Sequence, residues 1–219
     1  MHYVKDTNHL AELCSKLNKS KFLAIDTEFI REKTYWPKLC LIQVFNGEDK
    51  IIIDPLVKGL DLKPFFKILS NNEIVKIFHS GRQDIEIFYN LTKKIPKNIY
   101  DTQIAAMVCG FGDSIGYENL VSQLLGKKID KTSRLTNWSN RPLSKKQINY
   151  AISDVTHLFE IYPLIKDKII NEISARVICI TNLYFEEISG DVPTLPYPIC
   201  IQHCHAALSQ SFVFSNQRK

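Results

Sequence analysis

The sequence predicts an α/β protein in which a mixed β-sheet is flanked by helices on both faces. Three predicted strands come early, at 21–29, 38–45 and 49–54, and shorter strands then alternate with helices. Asn46-Gly47, between the second and third strands, is a strong hairpin signal, so these strands should pair antiparallel. Early strands followed by alternating strands and helices are typical of a sheet covered by helices.

The remaining elements are predicted from apolar spacing and capping residues. Residues 7–17 carry leucines at helical spacing after Asp6 or Thr7, either of which suits a helix N-cap. Ser80 and Gln83 resemble a capping box, and Ser144 is expected to begin a long helix that Pro163 ends or kinks. Further helices are predicted at 61–69, 80–91, 102–108, 117–125 and 164–185, and further strands at 74–78 and 98–100.

Length and composition favour one domain with a small appendage. The chain has 219 residues, and we expect a domain over 1–185 followed by an irregular tail over 186–219. Three prolines stand within 193–198, and the following stretch shows no clear periodicity. Its Cys200, His203, Cys204 and His205 are metal-ligand residue types, but their spacing fits no standard zinc pattern.

The same composition argues against membrane and secreted classes. No apolar run reaches about 18 residues, and the N-terminus lacks the basic start and apolar core of a signal peptide. We therefore expect a cytoplasmic protein whose six cysteines are reduced, with no membrane contact and no obligate protein partner. The net charge of +5 is compatible with a polyanionic substrate but is weak evidence for one.

Two acidic residues end the first predicted strand. Residues 22–25 are apolar, and Asp26-Thr27-Glu28 follow directly. Because side chains alternate along a strand, both carboxylates should point the same way, roughly 6–7 Å apart. A divalent cation would remove the repulsion between them. An isolated pair of this kind is more often a solvated strand end, so the interpretation depends on partners elsewhere in the chain.

Three later residues are the possible partners. Asp84 lies one turn into the helix that follows the strand at 74–78, a connection that commonly hosts catalytic groups. Tyr150 and Asp154 are four residues apart and so share one helix face. An acid in a first helical turn usually just stabilises the helix dipole, and none of these observations is decisive alone.

The order and context of these residues resemble a known family. DTEF, HSGRQDIEIF and YAISDV resemble the three exonuclease segments of the DEDD superfamily, and the tyrosine of the third segment is the mark of its DEDDy branch. DTEFIREKTYWPKLCLIQVF, IIIDP, IYDTQIAAMVCG and NWSNRPLSKKQINYAISDV are also similar to the catalytic domain of ribonuclease D. The resemblance covers about residues 3–165.

The resemblance implies an RNase H-like DEDD exonuclease fold and an enzyme that removes nucleotides from RNA 3′ ends, as in tRNA precursor or small-RNA processing. It implies two divalent ions, Mg²⁺ or Mn²⁺. Asp26, Glu28 and Asp154 would hold one ion, and Asp26 and Asp84 the second, with Tyr150 orienting the attacking water. Oxygen-only ligands suit these ions, and a pair of them can activate a water and stabilise the leaving oxygen.

Substrate contacts are expected around these acids. Phe29 could wedge against the terminal base, while cationic and aromatic side chains suit single-stranded nucleic acid. Each of them could equally be structural, and His79 is not needed as a general base because Tyr150 fills the water-orienting position. The residues expected near the substrate are Thr27, Phe29, Arg31, Tyr35, His79, Arg134, Trp138 and Arg141.

One departure from the family and two alternative functions stay open at the level of sequence. Full-length ribonuclease D carries helical HRDC domains, for which too few residues follow about residue 165, so we expect a short, catalytic-domain-only form. A Werner-type DEDDy exonuclease acting on DNA is one alternative, although TYWPKLCLIQV and HSGRQD favour ribonuclease D. A catalytically inactive nucleic-acid-binding module is the other, and the intact acids argue against it.

Overall fold

A computed structural model describes residues 1–31, 35–130, 132, 134 and 136–172. The strands within these residues are β1 (His2–Val4), β2 (Phe22–Ile30), β3 (Lys38–Phe45), β4 (Lys50–Ile53), β5 (Val75–Phe78) and β6 (Ile99–Asp101). The helices are α1 (Thr7–Leu17), α2 (Lys63–Leu69), α3 (Arg82–Thr92), α4 (Thr102–Val108), α5 (Tyr117–Leu125) and α6 (Lys145–Glu172).

The strands of the described chain form one mixed sheet in the order β1-β4-β3-β2-β5-β6. β3 runs antiparallel to both β2 and β4, which confirms the predicted hairpin at Asn46-Gly47. The pairs β1–β4, β2–β5 and β5–β6 are parallel. β1 was not predicted, because three residues are too few to show a period of two.

Helices cover both faces of this sheet, as predicted, and β2 contributes side chains to each face. α1, α2 and α3 pack on one face, where Leu23 and Ile25 of β2 join them. α4, α5 and α6 pack on the other face, together with Ala24. Continuing the alternation directs Asp26 towards α6 and the next residue, Thr27, towards α3. The end of β2 therefore presents polar groups to both layers.

α6 continues through Pro163, which the sequence analysis expected to end or kink the helix. A proline within a helix removes one backbone hydrogen bond. Here Ile161, Tyr162 and Ile165 are buried against the sheet, and such packing supplies most of the stability of a helix in a protein. The rest of the helix predicted over 164–185, and the predicted tail, lie outside the described residues. None of the described helices has the length and apolar character needed to cross a bilayer.

Ser144 and Gln147 form a capping box at the start of α6. The Ser144 hydroxyl accepts from the Gln147 backbone N–H at 3.2 Å, and the Gln147 side chain accepts from the Ser144 backbone N–H at 3.0 Å. This confirms the predicted N-terminus of the helix.

The capping box predicted at Ser80 is wrong. Ser80 has a φ of 55°, and α3 begins only after Gly81, without a side-chain cap. The backbone N–H groups of Ser80 and Gly81 instead donate to the Asp101 carboxylate at 2.9 and 2.8 Å. A residue at the end of β6 thus holds the turn that leads into α3.

Candidate active site

Three carboxylates meet where α6 crosses the end of β2. Asp26 and Glu28 of β2 and Asp154 of α6 each offer one carboxylate oxygen, and these oxygens lie within 4.8 Å of one another. The two β2 acids face α6 because they alternate with Thr27, as the sequence predicted. We call these three residues the acid cluster. It lies beside a cleft of about 450 Å³ that Asp26 and Asp154 line.

Asp84 approaches the acid cluster from the opposite face of the sheet. It lies in the first turn of α3, is 7% exposed, and accepts a hydrogen bond from the Thr27 hydroxyl. Burial and then the charge of Asp26 raise the pKa of Asp84 well above its ordinary value. Thr27, expected near the substrate, is 5% exposed, lines the same cleft and holds Asp84 in place through this hydrogen bond.

Burial dominates the electrostatics of the acid cluster. It raises the pKa values of Asp26, Glu28 and Asp154, and repulsion from neighbouring carboxylates raises the first two further. The charge of Arg134 opposes these shifts at Glu28 and Asp154. Carboxyl groups in such surroundings stay protonated unless a metal cation takes the place of the protons.

The donor set fits a divalent cation. Each member of the acid cluster supplies hard oxygen ligands, which magnesium and manganese prefer. One oxygen of Asp154, Oδ1, is buried and has no hydrogen-bond partner among the described residues. A cation within the acid cluster would complete the coordination of that oxygen.

These shifts predict a pH-dependent stability that a metal reverses. Carboxyls whose pKa is higher in the folded than in the unfolded chain favour folding when protonated. Without divalent metal, the melting temperature should therefore fall as the pH rises from about 4 through neutrality. With Mn²⁺ it should rise instead, because binding requires ionised ligands. Melting temperatures measured in EDTA and in Mn²⁺ across this pH range test both the expected fall and the expected rise. Parallel curves in the two conditions would contradict the prediction.

Tyr150 lies one turn before Asp154 on α6. Its hydroxyl lies on the same helix face as the Asp154 carboxylate and interacts with it, which lowers the pKa of Asp154. The Tyr150 ring packs 6.1 Å from the Trp138 ring, and the side chain also lines the cleft. The structure therefore brings together all five residues predicted to be catalytic, with Tyr150 beside the acid cluster.

Four of the residues predicted near the substrate line the same cleft: Thr27, Phe29, His79 and Arg134. The Nδ1 of His79 lies 3.0 Å from the Thr102 hydroxyl, and burial lowers the pKa of the imidazole, which favours its neutral form. Arg134 is exposed, so its cation is accessible from the cleft.

Two other predicted contacts lie outside that cleft lining. A nitrogen of Arg31, Nη1, is 3.8 Å from a carboxylate oxygen of Glu86. The Tyr35 side chain is 78% exposed, and its ring meets that of Trp36 edge to face at 4.9 Å. The structure leaves Tyr35 available for stacking but does not place it beside the acids.

Trp138 cannot supply a stacking surface. Its side chain is 2% exposed and packs in a buried cluster with Cys40, Leu41 and Ile52. A base cannot reach a ring that is covered in this way. The expectation of a substrate contact is corrected, and Trp138 instead supports the Tyr150 ring.

Arg141 has a structural role rather than the predicted substrate contact. Its Nε and Nη2 donate to the Asp54 carboxylate at 2.6 and 2.7 Å, and Nη2 also donates to the Cys40 carbonyl at 2.7 Å. Nη1 donates to the Trp138 carbonyl at 2.8 Å. The guanidinium is thus occupied in tying the segment before α6 to the ends of β3 and β4.

Tyr117 is a cleft residue that the sequence analysis missed. It begins α5, and its hydroxyl donates to the backbone carbonyl of Asp154. The backbone N–H of Leu158 interacts with the same hydroxyl and lowers its pKa, although burial dominates and raises it. A side chain that contacts the helical backbone at both positions fixes the turn that carries Asp154. No local pattern could reveal this long-range contact.

Comparison with known proteins places this geometry in a family. The family described as 3′-5′ exonuclease matches residues 1–170. Ribonuclease D of Zymomonas mobilis is 52% identical over 163 residues, which cover 74% of this chain and 42% of that protein. Ribonuclease D of Sphingobium indicum is 51% identical over 161 residues, covering 73% and 42%.

A solved structure gives the same result. The crystal structure of Escherichia coli RNase D superposes with a TM-score of 0.82 at 34% identity, covering 87% of this chain and 51% of that one. The match covers 42% of each of the two ribonuclease D relatives, so the chain spans less than half the length of the curated relatives it matches. The predicted fold and the resemblance to ribonuclease D are both confirmed. The chain belongs to the 3′-5′ exonuclease family.

Proposed function

We propose that the protein is a metal-dependent 3′-5′ exoribonuclease that releases nucleoside 5′-monophosphates from RNA 3′ ends. The observation that carries this proposal is the acid cluster, with Tyr150 lining the same cleft one helical turn before Asp154. RNA is the proposed substrate because curated relatives are ribonucleases D, and the Escherichia coli relative is described as an exoribonuclease involved in structured RNA processing. The proposed natural substrates are precursors of tRNA and other small RNAs, and the proposed location of the enzyme is the cytoplasm.

In the proposed mechanism, Asp26, Glu28 and Asp154 would hold one Mg²⁺ or Mn²⁺, and Asp26 and Asp84 would hold a second. Two such ions would supply an activated water and charge stabilisation at the leaving 3′ oxygen. Thr27 fixes Asp84 through its hydroxyl, so this ligand stays near Asp26. Tyr150 orients the attacking water from its position beside Asp154. The side chains therefore contribute geometry and negative charge rather than a covalent nucleophile.

The cleft gives the RNA end its proposed contacts. Phe29 packs against the terminal base, and the exposed Arg134 pairs with a phosphate. Because His79 favours its neutral form, it contributes a hydrogen bond to the substrate rather than a positive charge. Arg31 and Tyr35 lie farther out and are proposed to contact upstream nucleotides.

Product analysis tests this proposal. With Mg²⁺ or Mn²⁺, a 5′-labelled RNA should shorten into a ladder while nucleoside 5′-monophosphates accumulate, and EDTA should stop the reaction. A 3′-phosphate should slow it by crowding the site of the terminal nucleotide. Cleavage of circular RNA as fast as linear RNA would contradict exonuclease action. A preference for a matched DNA strand would leave the exonuclease assignment intact but overturn the choice of RNA.

A further inference from the structure

A buried amide beneath the acid cluster has no partner. Gln43 of β3 is 0% exposed, and neither its side-chain nitrogen nor its oxygen forms a hydrogen bond within the described residues. Most buried polar side chains are paired, because an unpaired amide loses its hydration without compensation. An unpaired amide in a protein core therefore requires an explanation.

Strand register places Gln43 beside the metal-ligating acids. In the antiparallel β2–β3 pair, Gln43 is directly opposite Asp26. Residues in this relation point to the same face, with Cβ atoms about 4.5–5.5 Å apart. Gln43 therefore faces α6, as Asp26 does. Gln43 is not among the described residues that line the cleft. Its amide therefore lies on the core side of the Asp26 carboxylate rather than on the substrate side.

The rest of this neighbourhood is apolar. On the same face of the sheet, Leu41 and Phe45 flank Gln43 along β3, and Ile52 is its register partner on β4. These side chains offer no hydrogen-bond acceptor. The carboxylate of Asp26 is the polar side chain paired with Gln43 across the strands. An amide N–H donor beside it stabilises the ionised form that a metal ligand must adopt.

We propose that Gln43 is a positioning residue for the divalent metal: when the ion is bound, its amide turns to donate to the Asp26 carboxylate and so orients that ligand. This inference rests on the proposed metal-dependent function. It explains why the sequence keeps an amide in an apolar layer. Partners of this kind fix ligand orientation, and their loss typically weakens metal affinity or activity about 10–100-fold.

Gln43→Met tests the inference because methionine has a similar length but no amide. In EDTA the variant should melt at the wild-type temperature or above it, since an unpaired polar group is removed from the core. In a Mn²⁺ titration its affinity, measured by calorimetry and by the rise in melting temperature, should fall about 10–100-fold. A purely structural glutamine would leave the Mn²⁺ affinity unchanged. Gln43→Leu should behave in the same way if Gln43→Met folds poorly.

Ile52→Met is the matched control. It introduces the same side chain at the register partner of Gln43 on β4, in the layer beneath α6. Its Mn²⁺ affinity should match that of the wild type. An equal loss in this variant, or wild-type affinity in Gln43→Met, would overturn the role of Gln43. Failure of the wild-type protein itself to bind Mn²⁺ would instead overturn the metal-dependent function on which the inference rests.

Discussion

Asp26→Asn should lower the rate of RNA cleavage at least ~10³-fold, about 4 kcal/mol in the activation barrier. Asp26 is the ligand proposed to contact both ions, and asparagine keeps its shape while removing its charge. The loss should persist at saturating RNA, because the defect lies in charge neutralisation at the reacting phosphate rather than in substrate binding. Single-turnover kinetics with 5′-labelled RNA measure the effect.

The same substitution should leave stability without metal level or raise it. Burial and the neighbouring Asp154 both disfavour a charge on Asp26, so a neutral amide relieves that strain. Glu118→Gln is a suitable control, since Glu118 lines the cleft but lies outside the acid cluster. It should retain nearly full activity. Near wild-type turnover in Asp26→Asn would remove Asp26 from the site.

Tyr150→Phe should slow cleavage ~10²–10⁴-fold, the usual range for a group that positions or exchanges a proton. The ring and its packing near Trp138 remain, so folding should survive. RNA affinity, measured in Ca²⁺ to prevent cleavage, should change little. Asp154→Asn, one turn further along α6, should instead weaken metal binding itself.

Tyr100→Phe provides the control for removing a tyrosine hydroxyl. The Tyr100 hydroxyl is buried and has no hydrogen-bond partner among the described residues. Its loss should leave cleavage unchanged. If Tyr150→Phe cleaves at the wild-type rate under single-turnover conditions, Tyr150 is structural and another group must hold the water. His79, which lines the same cleft, would be the next residue to substitute.

Local sequence patterns were sufficient for most of the fold. β3, α4 and α5 have the bounds that apolar spacing and flanking glycines predicted. Strand alternation predicted a shared face for Asp26 and Glu28, and helical spacing predicted one for Tyr150 and Asp154. Their convergence with Asp84 was expected only from the resemblance to a family. The capping role of Asp101 could also have been predicted from the sequence, because an aspartate directly before a helix is a typical N-cap.

Long-range contacts explain the errors. Trp138 and Arg141 stand in a polar, irregular segment, where an aromatic and a cationic residue suit a nucleic-acid surface. The hydrogen bonds of Arg141 depend on partners such as Asp54 and Cys40, which are 87 and 101 positions away. The role of Tyr117 likewise depends on a contact with α6 that no neighbouring residue signals. α6 does not end at Pro163, because packing along the helix outweighs a local helix-breaking preference.

The order of the acid ligands along the chain has a consequence for biosynthesis. Asp26, Glu28 and Asp84 belong to elements made early, whereas Tyr150 and Asp154 arrive on α6. Chains fold from the N-terminus as they are synthesised. A nascent chain that has completed only the sheet therefore carries an incomplete metal site without its water-orienting tyrosine. The proposed RNA-degrading activity can therefore begin only after α6 has been made and has docked on the sheet.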